Sequence, residues 1–381
     1  MSEANPSKLT SVELTNFGPL RQLVWPNLAD INLIIGTNGS GKTFLLKALY
    51  TFVKTLEGAG KGNEYREPLQ LIKDKFHWVF QTDSLFDLVS HNQRDMTLHL
   101  SFKNLLHAGE ERTKKIELSD GSPYSIDLQE QVVSFFINTG LYDTPGRITK
   151  GYGLAGPDHL AVIDRRKKID SIFLPPKESL SVHKIIRFIQ ERYKEFGYDT
   201  TYYDLAQALD WPALPEPNEA FASSRQKLQE EILKGRIVFN KAKERWEFVS
   251  SETQQHYPMG VVAEGIKKIG VLDVLLANDT LTPGSIVFMD EPESALHPEA
   301  ISQLLAIVHQ LSQQGIQFFM ATHSYFVIQE LYLLAQKHQT SVACLSLSEN
   351  DEPQTSDLLQ GMPDNAIINH AINLYHREIE L

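Results

Sequence analysis

Residues 36–43 of this 381-residue chain read Gly-Thr-Asn-Gly-Ser-Gly-Lys-Thr, a complete match to the pattern G-x-x-x-x-G-K-[ST]. The apolar run Ile31–Ile35 precedes the motif, and a helical stripe of apolar residues follows it. The motif therefore joins a strand to a helix, the context in which main-chain N–H groups close around phosphate oxygens. Glycines are required because a Cβ atom would block that close approach. The alternative, a chance glycine-rich turn, leaves the Lys-Thr pair and the flanking strand and helix unexplained.

The polar residues of this loop each have a predicted role. We expect the phosphate cradle to consist of Asn38, Gly39, Ser40 and Gly41. The N-terminus of the following helix adds its dipole to that cradle. Lys42 brings a positive charge to the β- and γ-phosphates, and the Thr43 hydroxyl is a candidate ligand for Mg²⁺. The loop thus predicts a site for a nucleotide and a magnesium ion.

A second motif lies far downstream, where the apolar run Ile286–Met289 ends in Asp290 and Glu291. Such a run predicts a buried parallel strand, and open α/β sheets bind ligands at the carboxyl ends of their strands. Asp290 is then a candidate ligand for Mg²⁺, directly or through water. Glu291 is the candidate for polarising the attacking water. The alternative is a core strand that ends in a solvated turn.

A third motif follows after one helix and one strand. Pro298 begins a predicted helix, and Gly315 ends it. The next apolar run, Ile316–Ala321, predicts another buried strand, and His323 lies just beyond its end. Because ligands bind at such strand ends, we predict that His323 contacts the γ-phosphate. The alternative is a structural or solvated histidine.

Together these motifs resemble those of an ABC-class ATPase. Gly36–Thr43 is similar to the Walker A motif, Asp290-Glu291 to Walker B, Ser294–His297 to the D-loop and His323 to the H-loop. The resemblance implies Mg-dependent binding and hydrolysis of ATP. Lys42, Glu291 and His323 would then be the catalytic residues, with Mg²⁺ held by Thr43 and Asp290.

Two further segments narrow the resemblance. Leu14–Leu20 is similar to the start of the SMC-like, non-transporter branch of the class. Glu291–Pro298 resembles ATPases related to the overcoming-lysogenization-defect (OLD) nucleases, a group that includes ATPase subunits of bacterial anti-phage systems. The segment after His323 is too short for the Toprim nuclease domain of those nucleases. The resemblance therefore implies a motor or switch whose effector, a nuclease or another toxin, is a separate protein.

The same resemblance implies a homodimer or higher homo-oligomer, in which a signature motif of one subunit reaches the γ-phosphate of the other. The best candidate is Val262–Ile266, with Gly265 at the family's glycine. Ala263 stands where a serine is common, and Glu264 adds a negative charge. The alternative is a simple helix start, because glycine is modestly favoured there.

The expected fold is an α/β P-loop ATPase domain of the ABC type, with an N-terminal β lobe and an inserted, partly helical region. We predict an N-terminal part with the P-loop at residues 1–58 and the insertion at 59–255. The C-terminal part, 256–381, would carry the signature, Walker B, D-loop and H-loop. Within the insertion, the glycine-rich segment Gly140–Gly156 predicts a loop. Two β-type runs just before the signature predict a hairpin, Arg236–Phe239 and Trp246–Val249.

Composition limits the remaining function classes. The net charge of −12 argues against a nucleic-acid coat protein but leaves room for a local basic groove. Direct DNA clamping, as in repair or recombination ATPases, is therefore the alternative function. The sequence contains no signal peptide and no long apolar span, which predicts a cytoplasmic protein without a membrane partner. Cys344 is the only cysteine, so an intramolecular disulfide and a cysteine-rich zinc site are excluded.

Overall fold

The computed structural model describes residues 7–59, 68–93, 95–103, 113–117, 123–127, 130–143, 147–155, 170–214, 219–348 and 351–381. The chain divides into two compact units. The first comprises Met1–Leu28, Thr51–His77 and Thr82–Ile169, and the second comprises Ala29–Tyr50, Trp78–Gln81 and Asp170–Leu381. Every residue predicted to act on the nucleotide belongs to the second unit.

The strands, numbered along the chain, are β1 (Lys8–Phe17), β2 (Leu20–Trp25), β3 (Ile31–Gly36), β4 (Asp95–Lys103), β5 (Thr113–Glu117), β6 (Pro123–Asp127), β7 (Glu130–Asp143), β8 (Arg147–Ala155), β9 (Ser171–Leu174), β10 (Gly235–Asn240), β11 (Arg245–Ser250), β12 (His256–Pro258), β13 (Ile286–Asp290), β14 (Gln317–Thr322), β15 (Val342–Leu347) and β16 (Gln354–Asp357). The helices are α1 (Lys42–Ala59), α2 (Pro68–Phe80), α3 (His183–Phe188), α4 (Thr200–Leu209), α5 (Ala222–Lys227), α6 (Glu264–Ala277), α7 (Pro298–Gln313), α8 (Tyr325–His338) and α9 (Ala366–Ile379).

Short helical turns supplement these elements. They are of the 3-10 type at Leu85–Leu88, Glu219–Phe221 and Met259–Val261, and of the π type at Ile189–Tyr193 and Leu228–Leu233. The two π-type turns continue α3 and α5, which lengthens each of these helices by about one turn. The helical segments between β9 and β10 are therefore made of short pieces rather than long helices.

A six-stranded sheet in the order β16-β15-β3-β14-β13-β9 forms the core of the second unit. Its strands from β15 to β9 run parallel, and β16 pairs antiparallel with β15. Every residue of the parallel strands is buried, as expected for a parallel sheet covered on both faces. Because β3, β13 and β14 run in the same direction, the segments that follow them meet at one edge of the sheet.

Helix α7 shows how the local sequence directs this unit. Pro298 occupies the first turn, where its missing N–H group is not needed, and His297 caps the helix by accepting a hydrogen bond from the Glu299 N–H. The apolar stripe of the helix is buried: Ile301, Leu304, Leu305, Val308 and Leu311. Gly315 follows the helix with a φ of +96°, a conformation that favours glycine. The sequence prediction of this helix is confirmed.

A separate three-stranded sheet, β10-β11-β12, lies just before α6 in the chain. Arg236 pairs with Val249 and Phe239 with Trp246, which confirms the predicted hairpin. Helix α6 packs closely against β10, since a Cβ atom added at Gly270 would lie 1.9 Å from Ile237 Cδ1. A glycine on this face of α6 is therefore needed for the contact.

The first unit contains the antiparallel sheet β2-β1-β4-β7-β8 and the separate pair β5-β6. Here one prediction is wrong: the segment expected as a loop, Gly140–Gly156, supplies the end of β7 and all of β8, which pair antiparallel. Its β-forming residues Ile148, Tyr152 and Leu154 recur at even spacing, and that period-two pattern outweighs the glycines between them.

Strands β4, β7 and β8 lie within residues 59–255, the predicted insertion, and β4 pairs with β1. The boundaries at 58 and 255 stay a prediction. Cys344, in β15, is buried. Within the described residues, none of the helices has the length and apolar character needed to cross a membrane.

Candidate functional site

The P-loop joins β3 to α1, as the sequence predicts. Gly39 and Gly41 have φ values of +84° and +92°, which L side chains rarely adopt. At Gly36, a Cβ atom would lie 2.3 Å from the Leu347 carbonyl oxygen and 2.6 Å from Ser40 Oγ. Glycine is therefore required at these positions by backbone conformation or by close packing.

Within the loop, Asn38 is exposed while Ser40 is buried. The Ser40 hydroxyl has no hydrogen-bond partner among the described residues. A buried hydroxyl without a partner is unfavourable by itself and is the kind of group that a bound phosphate can satisfy. This observation fits the predicted cradle at Asn38–Thr43.

Lys42 is buried and points back into its own loop. Its ammonium group donates hydrogen bonds to the carbonyl oxygens of Gly36, at 2.8 Å, and Thr37, at 2.7 Å. Burial lowers the pKa of Lys42, and the carboxylates of Asp290, Glu291 and Glu293 oppose that shift. The lysine is thus a desolvated cation close to a cluster of carboxylates.

Thr43 and Asp290 meet, although they lie far apart in the sequence. The Thr43 hydroxyl donates to the Asp290 carboxylate, with Oγ1 2.9 Å from Oδ2 and 3.1 Å from Oδ1. Burial raises the pKa of Asp290 to about 6, and the hydrogen bond from Thr43 opposes this shift. An adjacent hydroxyl and carboxylate are the hard oxygen donors that Mg²⁺ prefers. The two residues therefore fit the predicted magnesium site.

Glu291 and His323 also lie together, one after β13 and the other after β14. His323 Nδ1 is 3.5 Å from Glu291 Oε1, and both side chains are partly exposed. Glu291 has a φ of +47°, a left-handed conformation that is uncommon outside glycine. Its N–H group donates to the carbonyl oxygen of Ala321 at 2.9 Å, which fixes the turn to β14. The carboxylate and the imidazole thus face a common space at the edge of the sheet.

Glu293 adds a carboxylate that the sequence reasoning did not assign to the site. Thr322 Oγ1 donates to Glu293 Oε1 at 2.6 Å, and His323 Nδ1 lies 3.9 Å from the same oxygen. Glu293 Oε2 is buried and has no hydrogen-bond partner in the described part of the chain. The only sequence signal was its position two residues after Glu291.

Gly265 lies in the first turn of α6 and packs against Ala295 and Leu296 of the same chain. A Cβ atom there would lie 2.7 Å from both the Ala295 carbonyl oxygen and Leu296 Cδ2. The glycine therefore allows α6 to approach the segment that resembles the D-loop. The predicted contact of Gly265 with the nucleotide of a second subunit stays a prediction.

Comparison with known families adds to this geometry. A family model described as "AAA domain, putative AbiEii toxin, Type IV TA system" matches residues 31–329, well over half of the chain. The chain belongs to this family. The matched residues begin at β3 and include the P-loop, Asp290, Glu291 and His323.

Individual relatives match more weakly. An uncharacterized protein of Methanocaldococcus jannaschii, MJECL10, is 26% identical over 98 residues, which are 25% of this chain and 42% of that protein. The ribose import ATP-binding protein RbsA of Lacticaseibacillus paracasei is 29% identical over 92 residues, which are 24% of this chain and 17% of RbsA. Each match therefore covers less than half of the relative's length.

Among solved structures, the SMC head bound to the C-winged helix domain of ScpA superposes with a TM-score of 0.50 at 14% sequence identity. The alignment covers 92% of this chain and 98% of the SMC head chain. This similarity concerns the fold. With the family match, it makes the chain an SMC-like P-loop ATPase of the ABC class. The narrower link to the OLD nucleases is not confirmed.

Proposed function

We propose that this ATPase is a magnesium-dependent molecular switch that controls a separate effector in anti-phage defence. The observation that carries the proposal is the meeting of Thr43, Asp290, Glu291 and His323 at one edge of the sheet. A phosphate-binding loop, two oxygen donors for a cation and a partly exposed carboxylate are the parts that ATP hydrolysis requires.

Each residue then has a role in the reaction. Lys42 exchanges its bonds to the carbonyl oxygens of Gly36 and Thr37 for bonds to phosphate oxygens. Thr43 and Asp290 would hold Mg²⁺, which would supply positive charge to the phosphates of ATP. Glu291 orients the attacking water and accepts its proton, while His323 stabilises charge on the γ-phosphate.

Self-association is the second part of the proposal. Glu264, at the start of α6, is exposed, so this helix end is available to a second subunit. If ATP is shared between two subunits, ATP binding and dimer formation strengthen each other. Sedimentation of the Glu291→Gln protein, with and without Mg-ATP, tests this linkage. An ATP-dependent increase in mass supports it, and one unchanged species rejects it.

Gly265→Arg would test the proposed interface directly, but the substitution would also disturb contacts within the same chain. The arginine would collide with Ala295 and Leu296 before it reached a second subunit. Glu264→Arg avoids that collision because its side chain is exposed. We therefore expect Glu264→Arg to alter ATP-driven self-association while the melting temperature stays near that of the wild type.

A protein effector is the third part. The family description refers to a toxin of a toxin–antitoxin system, and the SMC head of similar fold was crystallised with a domain of a protein partner. The family description supports a role in defence, and the partner of the SMC head supports a chain that transmits its nucleotide state to another protein. Affinity purification after expression with the genomic neighbours tests this. A co-purifying nuclease or toxin supports the proposal. If the chain purifies alone and binds duplex DNA at physiological salt, the DNA-clamping function replaces it.

A further inference from the structure

The main chain of Glu291 is held from two sides. Its N–H group donates to Ala321, as described above, and its carbonyl oxygen accepts a hydrogen bond from the Ser294 N–H at 3.0 Å. The same carbonyl also accepts from the ammonium group of Lys268, on α6. A left-handed non-glycine residue persists only where its surroundings fix it. Lys268 is one of the groups that do so here.

Lys268 and Gly265 lie three residues apart and therefore on the same face of α6. Gly265 packs on Ala295 and Leu296, while Lys268 reaches Glu291. One turn of α6 thus contacts both ends of the segment 291–296. Any shift of this part of α6 therefore changes the contacts that hold the Glu291 main chain, and with it the position of the Glu291 carboxylate.

The charges around Lys268 favour the same arrangement. Its ammonium group interacts with the carboxylates of Glu293, Glu291 and Asp290, while burial lowers its pKa to about 8. At neutral pH most of the lysine is still protonated, so it offsets the repulsion among these acids. The hydrogen bond and the charge therefore act on the same segment.

We propose that Lys268 is a positioning residue for ATP hydrolysis: it ties the N-terminal end of α6 to the Glu291 main chain and so holds the Glu291 carboxylate in place. The proposal rests on the proposed role of Glu291. It also gives α6 a route by which a partner at its N-terminus alters the hydrolysis rate.

The test uses three substitutions. Lys268→Met keeps the aliphatic stem and removes both donor and charge. Lys268→Arg keeps both. Lys267→Met is the matched control, because Lys267 is the neighbouring lysine and its ammonium group lies 3.5 Å from Glu178, away from Glu291. Steady-state kinetics with Mg-ATP, nucleotide-binding titrations and thermal melts are measured for each protein.

We expect Lys268→Met to lower kcat by at least about tenfold while KM for ATP changes by less than about twofold. Lys268→Arg should restore most of the rate, and Lys267→Met should leave kcat within about twofold of the wild type. A wild-type kcat for Lys268→Met overturns the proposal. So does an equal loss of kcat in Lys267→Met, because that result indicates general damage to α6.

If Lys268→Met does not fold, Lys268→Leu replaces it, since this shorter apolar side chain also removes both the donor and the charge. A folded Lys268→Leu with lowered kcat supports the proposal, and one with wild-type kcat overturns it. Glu291→Gln, measured in parallel, separates failure of the proposed role of Glu291 from failure of the positioning role of Lys268. If Glu291→Gln retains the wild-type rate, the proposed role of Glu291 fails. If only the Lys268 variants do so, the positioning role alone fails.

Discussion

Asp290 and Glu247 are two buried carboxylates of the second unit whose pKa values are shifted in opposite directions. Asp290, with 3% of its surface exposed, has one neutral donor in Thr43, and burial raises its pKa to about 6. Glu247, on β11, is 1% exposed, yet its pKa is lowered to about 2. The hydrogen bond from Asn240 lowers it most, and bonds from Arg245, His256 and Lys243 contribute.

The difference fits our proposal that Glu247 stabilises the fold while Asp290 binds a ligand. Glu247 has donors on both oxygens and holds the hairpin β10–β11 to β12 through His256. At the sheet edge, Asp290 and Lys42 are buried with incomplete compensation, and Glu293 Oε2 is buried without a hydrogen-bond partner in the described part of the chain. Active sites commonly bear such unfavourable charges because bound substrate and metal compensate them. Substitutions at the edge should therefore change activity, and substitutions at Glu247 should change stability.

The largest expected effect is on hydrolysis, in Glu291→Gln. Removing the carboxylate that we propose accepts the water proton should lower kcat by about 10²- to 10⁴-fold. ATP binding should stay near the wild-type level, because the substitution preserves shape and removes no phosphate contact. Phosphate release and equilibrium nucleotide binding are the measurements. The control is Glu299→Gln, an exposed carboxylate in the first turn of α7, which should retain the wild-type rate.

Asp290→Asn should separate activity from stability. Loss of the charge on this proposed magnesium ligand should weaken Mg-dependent ATP binding and lower turnover about 10-fold or more. The melting temperature without nucleotide should stay equal or rise, because the amide removes a buried charge whose burial is unfavourable at neutral pH. Calorimetry with and without Mg-ATP measures both effects. A large fall in the melting temperature would place Asp290 with Glu247 as a structural carboxylate.

The sequence predicts the residues of this edge better than it predicts their environment. The P-loop, Asp290, Glu291 and His323 could be found because each follows a recognisable apolar strand, and parallel strands bring their ends together. The hydrogen bond from Thr322 to Glu293 and the one from Lys268 to Glu291 could not, because they depend on how segments distant in sequence pack. The left-handed backbone of Glu291 has no local signature either, since glycine does not occupy that position.

The same limit applies to the rest of the fold. The hairpin around Glu247 was predictable from its two β-type runs, but the four donors on that carboxylate come from turn and strand positions that only the folded register aligns. Strand β8 was missed because its glycines indicated a loop. The donors on Glu247 and the formation of β8 both depend on the strand pairing rather than on the local composition.

Glu247→Gln tests the stabilising side of the comparison. The neutral amide keeps the shape but leaves Lys243, Arg245 and His256 without their carboxylate. We expect a lower melting temperature and an unchanged kcat for ATP. Glu244→Gln, in the neighbouring turn and largely exposed, is the matched control and should melt like the wild type. A loss of hydrolysis in Glu247→Gln without a loss of stability would contradict the separation of the two regions.

The smallest expected effect is on the pH dependence of stability. The folded-state pKa of Glu247, about 2, lies below its usual 4.5. The stability that the ionised Glu247 carboxylate contributes to the fold is therefore fully present above about pH 4.5 and is lost as pH falls toward 2. Asp290 behaves oppositely: its folded-state pKa of about 6 exceeds the usual 3.8, so the destabilisation by its charge is relieved as pH falls from above 6 toward 3.8.

Thermal melts without nucleotide, at a series of pH values, should therefore give two distinct patterns. Between neutral pH and about pH 5, the difference between wild type and Glu247→Gln should stay constant while that between wild type and Asp290→Asn shrinks. If both differences change in parallel, the two carboxylates do not differ in the way their surroundings indicate.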